Sequence, residues 1–228
     1  MQDLKREAAR AALPFVQKDS TIGFGAGTTI AHLIGFIKEE VSLASSLCTI
    51  TSSFSTRVLL QKSGFRVAEM GSTHRIDLYF DGCDQFDPSL NALKSGGGIH
   101  TREKILAAMA HEFILIGDDS KMVEQLDGKY PLVIEVIPDA ISFVLSGLPD
   151  IFEGAAPTIR LADKKDGAVI TENGNFLIDC RFEKFPDPAL LNEKVGLMPG
   201  VLEHSLFYGM AHKAIVAGNN GTIIKTRA

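Results

Sequence analysis

The sequence predicts an α/β protein, in which a Rossmann-like parallel sheet with helices on both faces is joined to a smaller α+β domain. Over residues 1–130, short apolar runs typical of buried strands alternate with segments whose apolar residues recur at helical spacing. Near Tyr130 this alternation ends, and a strand bounded by prolines, a hairpin turn and short helices follow. The change places the smaller domain at residues 131–206.

The first part of the chain is interpreted as strands and helices in alternation. Residues 2–17 have an apolar side that includes Leu4 and Ala8 and a charged side that includes Lys5, which predicts an amphipathic helix. A strand follows from Thr21, and further helices begin near Thr28, at Ser55 and at Thr101. The other predicted strands are residues 47–51, 65–70, 76–81 and 113–117. Alternation of this kind is typical of a parallel sheet.

The sequence of the second part of the chain predicts shorter and mostly antiparallel elements. Glu172-Asn173-Gly174-Asn175 has the composition of a hairpin turn, and it leads into a strand at residues 176–180. The other predicted strands are residues 131–138, 156–161, 168–170, 213–217 and 222–225, and the predicted helices are residues 139–148 and 187–197.

Composition excludes several classes of function. The formal charge of -5 and the lack of a basic run interleaved with aromatic residues argue against nucleic-acid binding. The three cysteines show no C-x-x-C spacing, which favours reduced thiols and no zinc site. No apolar segment approaches the roughly 20 residues that span a bilayer, and no signal-peptide pattern is found. We therefore expect a soluble, cytoplasmic protein with no membrane partner.

One stretch concentrates the unusual chemistry. Lys94 and Ser95 precede three consecutive glycines, Gly96–Gly98, a pattern typical of a loop that needs positive φ or brings main-chain N–H groups close to a ligand. Thr101 is predicted to cap the next helix, which places Glu103 in the first turn. A flexible loop followed by a helix with an acid near its start would explain the same pattern.

Just before this loop, a predicted buried strand ends in Asp81-Gly82-Cys83-Asp84. Ligands of open α/β sheets collect beyond the carboxyl ends of strands. We therefore expect Asp81, Asp84, Lys94 and Glu103 to converge on one pocket with the glycine N–H groups.

A second glycine-rich stretch lies between the first strand and its helix. Gly25-Ala26-Gly27-Thr28-Thr29 is neither a Walker A loop nor a G-x-G-x-x-G fingerprint, since Thr28 stands where the last glycine would fall. A strand-to-helix turn of this kind binds phosphate through N–H groups and the helix dipole. A tight turn with threonine caps is the simpler interpretation of the motif alone. Together with the lysine-glycine loop, it favours a monophosphate site.

The stretches Asp81–Asp84, Lys94–Gly98 and Thr101–Lys104 resemble the site motifs of the type A ribose 5-phosphate isomerase family, and the resemblance extends along most of the chain. It implies interconversion of D-ribose 5-phosphate and D-ribulose 5-phosphate in the non-oxidative pentose phosphate pathway, without a cofactor. It also implies a homodimer, and it returns residues 207–228 to the sheet of residues 1–130. Ala26 and Thr28 depart from the usual family loop, and Ala26 removes one hydroxyl contact.

The resemblance also assigns roles to residues. Glu103 is expected to be the base that moves a proton between C1 and C2, Lys94 and the amides of Gly96 and Gly97 to stabilise the oxyanion, and Asp81 and Asp84 to handle hydroxyl protons. Lys121 becomes a substrate contact, and Lys5 a weaker one. The expected substrate-binding residues are Ala26, Gly27, Thr28, Thr29, Asp81, Gly82, Cys83, Asp84, Lys94, Ser95, Gly96, Gly97 and Lys121.

Several alternatives stay open at this stage. Asp81 and Asp84 could hold Mg²⁺, although Lys94 competes for the same charge and the spacing of a metal loop is absent. Cys83 could be a nucleophile, but the local sequence places no base beside it, which favours a small buried thiol. Isomerisation of another phosphorylated sugar fits Ala26, Ser95 and Cys83. A sugar-phosphate-sensing module would carry a DNA-binding helix and could dispense with Glu103.

Overall fold

The computed structural model describes residues 3–227, and these form the predicted α/β architecture. The helices are α1 (Leu4–Ala12), α2 (Thr28–Glu39), α3 (Val41–Ala44), α4 (Phe54–Lys62), α5 (His100–Met109), α6 (Ile141–Ile151) and α7 (Pro188–Gly196). The strands are β1 (Thr21–Phe24), β2 (Cys48–Thr51), β3 (Arg66–Val67), β4 (Ile76–Asp81), β5 (Gln85–Phe86), β6 (Ala92–Leu93), β7 (Ala110–Asp118), β8 (Leu132–Val136), β9 (Ala155–Ile159), β10 (Phe176–Phe182), β11 (Val201–His204), β12 (Leu206–Phe207), β13 (Lys213–Gly218) and β14 (Gly221–Thr226).

The main sheet has seven strands in the order β14-β13-β7-β4-β1-β2-β3. Its neighbouring strands are parallel, apart from β14, which pairs antiparallel with β13 at the edge. The chain proceeds outward from β1 to β3 on one side and then returns to β4 on the other side of β1. The switch point of the sheet therefore lies between β1 and β4, where a crevice opens beyond the strand ends.

Helices pack on both faces of this sheet, against apolar side chains that consecutive strand residues place on opposite faces. On one face Phe80 packs with Phe24 and with Ile34 of α2, and the two phenylalanine rings lie 6.4 Å apart. On the other face Tyr79 packs with Phe113 and with Leu106 of α5. Alternation of side chains along β4 thus anchors α2 and α5 on opposite sides, as the sequence predicted.

A second sheet of four antiparallel strands has the order β11-β8-β10-β9. Val144 and Leu148 of α6 and Leu191 and Val195 of α7 pack against it in a separate apolar core. This is the smaller α+β part predicted from the change of pattern after Tyr130. The domain limits at residues 131 and 206 stay predictions, and residues 1, 2 and 228 lie outside the described part of the chain.

Three predicted elements differ from those observed. The first helix ends at Ala12, because Pro14 follows in a short 3-10 turn, and Gln2 lies outside the described residues. The strand predicted over residues 65–70 is reduced to β3, and residues 168–170 form only isolated bridges. A third sheet, in the order β12-β6-β5, was not predicted, since strands of two residues leave no periodic pattern.

Thr101 does not cap α5, so this prediction was wrong. The helix begins one residue earlier, after Ile99, and no side chain caps it. The Thr101 hydroxyl instead donates a short hydrogen bond to Glu135 on β8 of the second sheet. Glu103 nevertheless lies in the first turn, as predicted.

Candidate active site

A cavity of about 300 Å³ opens beyond the carboxyl ends of β1, β4 and β7. Among the residues predicted from the sequence to bind substrate or act in catalysis, only Ser95 is absent from its lining. The lining consists of Lys5, Ala26, Gly27, Thr28, Thr29, Asp81, Gly82, Cys83, Asp84, Lys94, Gly96, Gly97, Glu103, Ile116, Gly117, Asp118 and Lys121. The fold thus brings together two glycine loops, three lysines and four carboxylates.

Asp81 occupies the last position of β4 and is 1% exposed. Its carboxylate accepts hydrogen bonds from the hydroxyl of Tyr79 at 2.5 Å and from the amides of Ala26 and Gly82 at 3.2 and 2.8 Å. A Cβ atom at Gly25 would lie 1.8 Å from an Asp81 oxygen, so only glycine fits there. These contacts fix the orientation of the carboxylate at the floor of the cavity.

Lys94 is 8% exposed and stands between two acids. Its Nζ lies 2.7 Å from Asp81 Oδ2 and 3.4 Å from Glu103 Oε1, and it donates to the Gly82 carbonyl at 2.7 Å. Burial alone would lower the pKa of Lys94, but the charges of Asp81 and Glu103 raise it above the usual value. Lys94 therefore keeps its proton and serves as a fixed cation.

Glu103 lies in the first turn of α5 and is 6% exposed. Burial raises the pKa of its carboxyl group to about 8, an effect that Lys94 opposes and the charge of Asp81 supports. A carboxylate with a raised pKa is a stronger base than an exposed one. The site therefore couples a strengthened base to a neighbouring ammonium group.

The lining of the cavity also presents donors that suit a phosphate group. Gly27, at φ +100°, precedes α2. Among residues 3–227, no side chain caps this helix and no hydrogen bond engages the hydroxyls of Thr28 and Thr29, which are therefore available to a ligand. Lys5 of α1 and Lys121, which follows β7, line the cavity as well. An anion here would meet N–H groups, hydroxyls and ammonium groups.

Asp84 and Ser95 hold the glycine loop in place. The Ser95 amide donates to Asp84 Oδ2 at 2.6 Å, and the Ser95 hydroxyl donates to the Pro131 carbonyl at 2.5 Å. Ser95 is thus engaged within the protein and does not line the cavity, whereas Gly96 and Gly97 do.

The surroundings of Cys83 and His100 do not favour a direct role in the chemistry. Cys83 is half-buried at the cavity, and burial raises the pKa of its thiol to about 12, which disfavours the nucleophilic thiolate. His100 is fully buried and does not line the cavity. Within residues 3–227, no three His, Cys, Asp or Glu side chains are arranged to hold a metal ion. No helix in the same span is long and apolar enough to cross a bilayer.

Besides the lining residues Ile116, Gly117 and Asp118, sequence reasoning missed two residues that hold groups of the site in place. Tyr79 shares a strand face with Asp81 two positions later, so a period of two could have identified it. Arg160 donates from the second sheet to the carbonyls of Ser95 and Gly96. No local signal in the sequence links Arg160 to a loop more than sixty residues away.

Comparisons with known proteins agree with this geometry. A family model described as ribose 5-phosphate isomerase A (phosphoriboisomerase A) matches residues 48–221. A ribose-5-phosphate isomerase A from Thermosynechococcus vestitus is 36% identical over 218 residues, which cover 95% of this chain and 92% of that protein.

Solved structures are similar over the whole chain. A D-ribose-5-phosphate isomerase in complex with phospho-erythronic acid has a TM-score of 0.92 and 34% identity, with 100% of both chains covered. The ribose 5-phosphate isomerase A of Methanocaldococcus jannaschii has a TM-score of 0.89 and 34% identity, with 98% of both chains covered.

Proposed function

Because the chain belongs to the ribose 5-phosphate isomerase A family, we propose that it interconverts D-ribose 5-phosphate and D-ribulose 5-phosphate through an enediolate, with Glu103 as the base. The observation that carries the proposal is the buried Glu103 carboxyl group, whose Oε1 lies 3.4 Å from Lys94 Nζ in a cavity that is also lined by donors suited to phosphate. The family membership supports the reaction, and the geometry supports the roles.

Glu103 acts on the open-chain sugar. It removes the proton from C2 of the aldose, and the electron pair moves through the C1–C2 bond onto the carbonyl oxygen at C1, which gives the enediolate. Returning the proton to C1, while the proton of the C2 hydroxyl passes to the oxygen at C1 and the oxygen at C2 becomes the carbonyl, gives the ketose. Burial favours this step, because it raises the pKa of Glu103 toward neutral pH.

Lys94 and the loop amides stabilise the negative charge on the enediolate oxygens. Lys94 is held as a cation beside Glu103, and Gly96 and Gly97 line the same cavity. Donors held in place before the reaction are worth most where water is excluded, and loss of one typically costs about 3 kcal/mol.

Asp81 and Asp84 orient the sugar hydroxyls and exchange protons with them, including during ring opening. Ala26, Gly27, Thr28, Thr29 and Lys121 bind the phosphate group, with Lys5 at the rim. Gly82 and Cys83 complete the wall between the two aspartates. Ser95 contributes by holding the loop through Asp84 and Pro131.

The wider assignments follow from family membership as proposals. We propose that the enzyme works without metal or another cofactor, as a cytoplasmic homodimer in the non-oxidative pentose phosphate pathway. Residues 131–206 form the smaller domain, and residues 1–130 with 207–228 form the catalytic one.

The test combines a substrate panel with isotope exchange. Purified protein is assayed with five- and six-carbon sugar phosphates, with and without EDTA, and NMR in D₂O follows deuterium entry at the sugar carbon. We expect ribose 5-phosphate to be preferred and EDTA to have no effect. Phospho-erythronic acid, whose carboxylate resembles the enediolate, should compete with substrate. No conversion of ribose 5-phosphate, or loss of activity in EDTA, would contradict the proposal.

The role of Glu103 is tested by Glu103→Gln, with Glu124→Gln as the matched control, since Glu124 is exposed and away from the cavity. Glu103→Gln should lose both conversion and deuterium exchange, whereas the control should keep both. Full exchange in Glu103→Gln would assign the base to another residue.

A further inference from the structure

Arg160, which lies outside the cavity, holds the backbone of the glycine loop. Its Nη2 donates to the Ser95 carbonyl and its Nη1 to the Gly96 carbonyl, both at 2.9 Å. Its Nε and Nη2 also donate to the carboxylate of Asp179, at 2.9 and 2.6 Å to Oδ1. One guanidinium group therefore joins a carboxylate of the second sheet to two consecutive peptide units of the loop.

The position of Arg160 is itself fixed by the second sheet. Its amide donates to the Leu177 carbonyl at 2.8 Å, and its carbonyl accepts from the Val169 amide at 2.9 Å. Asp179 belongs to β10, the central partner of β9 and β8. The second sheet thus fixes both the backbone of Arg160 and the carboxylate that holds its guanidinium group.

The loop approaches this sheet closely. Gly98 has φ +71°, and a Cβ atom there would lie 2.7 Å from Leu177 Cδ1 and 3.5 Å from Arg160 Nη1. Glycine is therefore required on both conformational and steric grounds. The contact brings the carbonyls of Ser95 and Gly96 within reach of Arg160.

Peptide planarity links these carbonyls to the cavity. In a planar trans unit the N–H and C=O groups point in opposite directions. The Ser95 carbonyl shares its unit with the Gly96 amide, and the Gly96 carbonyl shares its unit with the Gly97 amide. Drawing both carbonyls toward Arg160 turns both amides away from it. In residues 3–227 no acceptor takes either amide, and both glycines line the cavity.

We propose that Arg160, held by Asp179, is a positioning residue that aims the Gly96 and Gly97 amides at the enediolate oxygens. This inference rests on the proposed function. Arg160 does not touch the substrate and acts through the orientation of two peptide units. A guanidinium group suits this role better than an ammonium group, because it presents separate nitrogen atoms to the two carbonyls and the carboxylate, whereas a lysine presents a single nitrogen atom.

The kinetic test compares Arg160→Ala and Arg160→Lys with Arg181→Ala. Arg181 is exposed on β10, two residues after Asp179, so the control removes the same charge from the same sheet. Both Arg160 variants should lower kcat for ribose 5-phosphate by about 10- to 100-fold, while KM should change by less than about threefold. The decrease in kcat should not exceed the one that follows from removing an oxyanion donor outright. Arg181→Ala should match the wild type.

A binding measurement distinguishes misorientation of the Gly96 and Gly97 amides from a general disturbance of the binding site. Calorimetry with phospho-erythronic acid, which carries a carboxylate, is compared with calorimetry with inorganic phosphate, which has none. Arg160→Ala should bind phospho-erythronic acid about tenfold more weakly and bind phosphate as the wild type does. Asp179→Asn keeps Arg160 but weakens its anchor. This variant should lower kcat and the affinity for phospho-erythronic acid, each by less than Arg160→Ala does.

The outcomes distinguish this inference from the proposed function. A wild-type protein without activity on ribose 5-phosphate overturns the proposed function. A wild type that is active, together with a folded Arg160→Ala variant whose kcat stays within about twofold, overturns the role of Arg160. Equal weakening of both ligands also overturns it. Should Arg160→Ala fail to fold, Arg160→Lys decides by the same criteria.

Discussion

Two buried glutamates meet at the first turn of α5, and their surroundings shift their pKa values in opposite directions. Glu103 belongs to this turn, whereas Glu135 lies on β8 and accepts a hydrogen bond from Thr101 in the turn. Glu103 is 6% exposed and Glu135 is 1% exposed. Burial raises the pKa of Glu103 to about 8. Burial also acts to raise the pKa of Glu135, but hydrogen bonds from neutral side chains outweigh it and lower the pKa below the usual value.

The donors explain the difference. Glu135 accepts hydrogen bonds from the hydroxyls of Thr101 and Thr171 and from the amides of Asn173 and Asn175. Glu103 instead shares one ammonium group, that of Lys94, with Asp81. Fixed neutral donors make a carboxylate a structural anion, whereas a shared cation beside a like charge leaves it able to take a proton. Burial alone therefore does not identify a base.

The largest expected effect is on catalysis at Glu103. Glu103→Gln should reduce kcat by about 10²- to 10⁴-fold, since general base catalysis is lost. Its free energy of unfolding should not fall, because the change removes a carboxyl group that burial disfavours as an anion. Steady-state kinetics and urea unfolding measure the two quantities. A loss of stability equal to that of Glu135→Gln would remove the distinction between the two sites.

The next effect is on stability at Glu135. Glu135→Gln should lower the free energy of unfolding by about 1–3 kcal/mol, because buried donors lose a charged acceptor. The lowered pKa means that the native state binds fewer protons at this group than the unfolded chain. The stabilisation is therefore present above the unfolded value of about 4.3 and is lost as pH falls through the lower folded value. Urea unfolding across this pH range should show a smaller loss in acid for the variant. Equal losses would contradict the assignment.

A third prediction concerns the acidic limb of the pH profile. The charge of Asp81 raises the pKa of Glu103, so Asp81→Asn should move the acidic limb of kcat/KM to lower pH. Asp84→Asn is the matched comparison, since Asp84 is not among the main causes of the Glu103 shift. A shift to higher pH in Asp81→Asn would contradict the proposed electrostatics.

The smallest effect is expected at Thr101, whose hydroxyl joins the helix of Glu103 to Glu135. Thr101→Val keeps the shape but removes the donor, and should cost about 1 kcal/mol of unfolding free energy. Thr101→Ser keeps the hydroxyl and should stay close to the wild type. Thermal unfolding of the two variants measures the difference. Equal melting temperatures would mean that the contact contributes nothing.

Sequence reasoning succeeded where local pattern and local chemistry agree. The strand over Ile76–Asp81, the helix from Thr28 and the two strands of the tail were all found. Most residues of the cavity were found because they follow strand ends or precede helices, where parallel topology brings them together. The tail joined the main sheet, as the resemblance implied.

The missed features depend on contacts between distant segments. Thr101 has the composition of a cap, but a carboxylate on β8 takes its hydroxyl. Arg160 reaches its loop through the packing of Gly98 on Leu177, which no local pattern encodes. The sheet of β5, β6 and β12 pairs segments over one hundred residues apart and is too short for periodicity. Tertiary contact, rather than propensity, decides each of these.

The most direct test is an NMR titration of the two glutamates. Carbon-13 labelling of the glutamate side chains, with Glu103→Gln and Glu135→Gln used to assign the two carboxyl signals, follows each group from acid to alkaline pH. We expect the Glu103 carboxyl group to titrate well above an ordinary glutamate and the Glu135 carboxyl group to titrate below one. A Glu103 carboxyl group that titrates at or below the ordinary value, or lies below Glu135, would contradict this expectation.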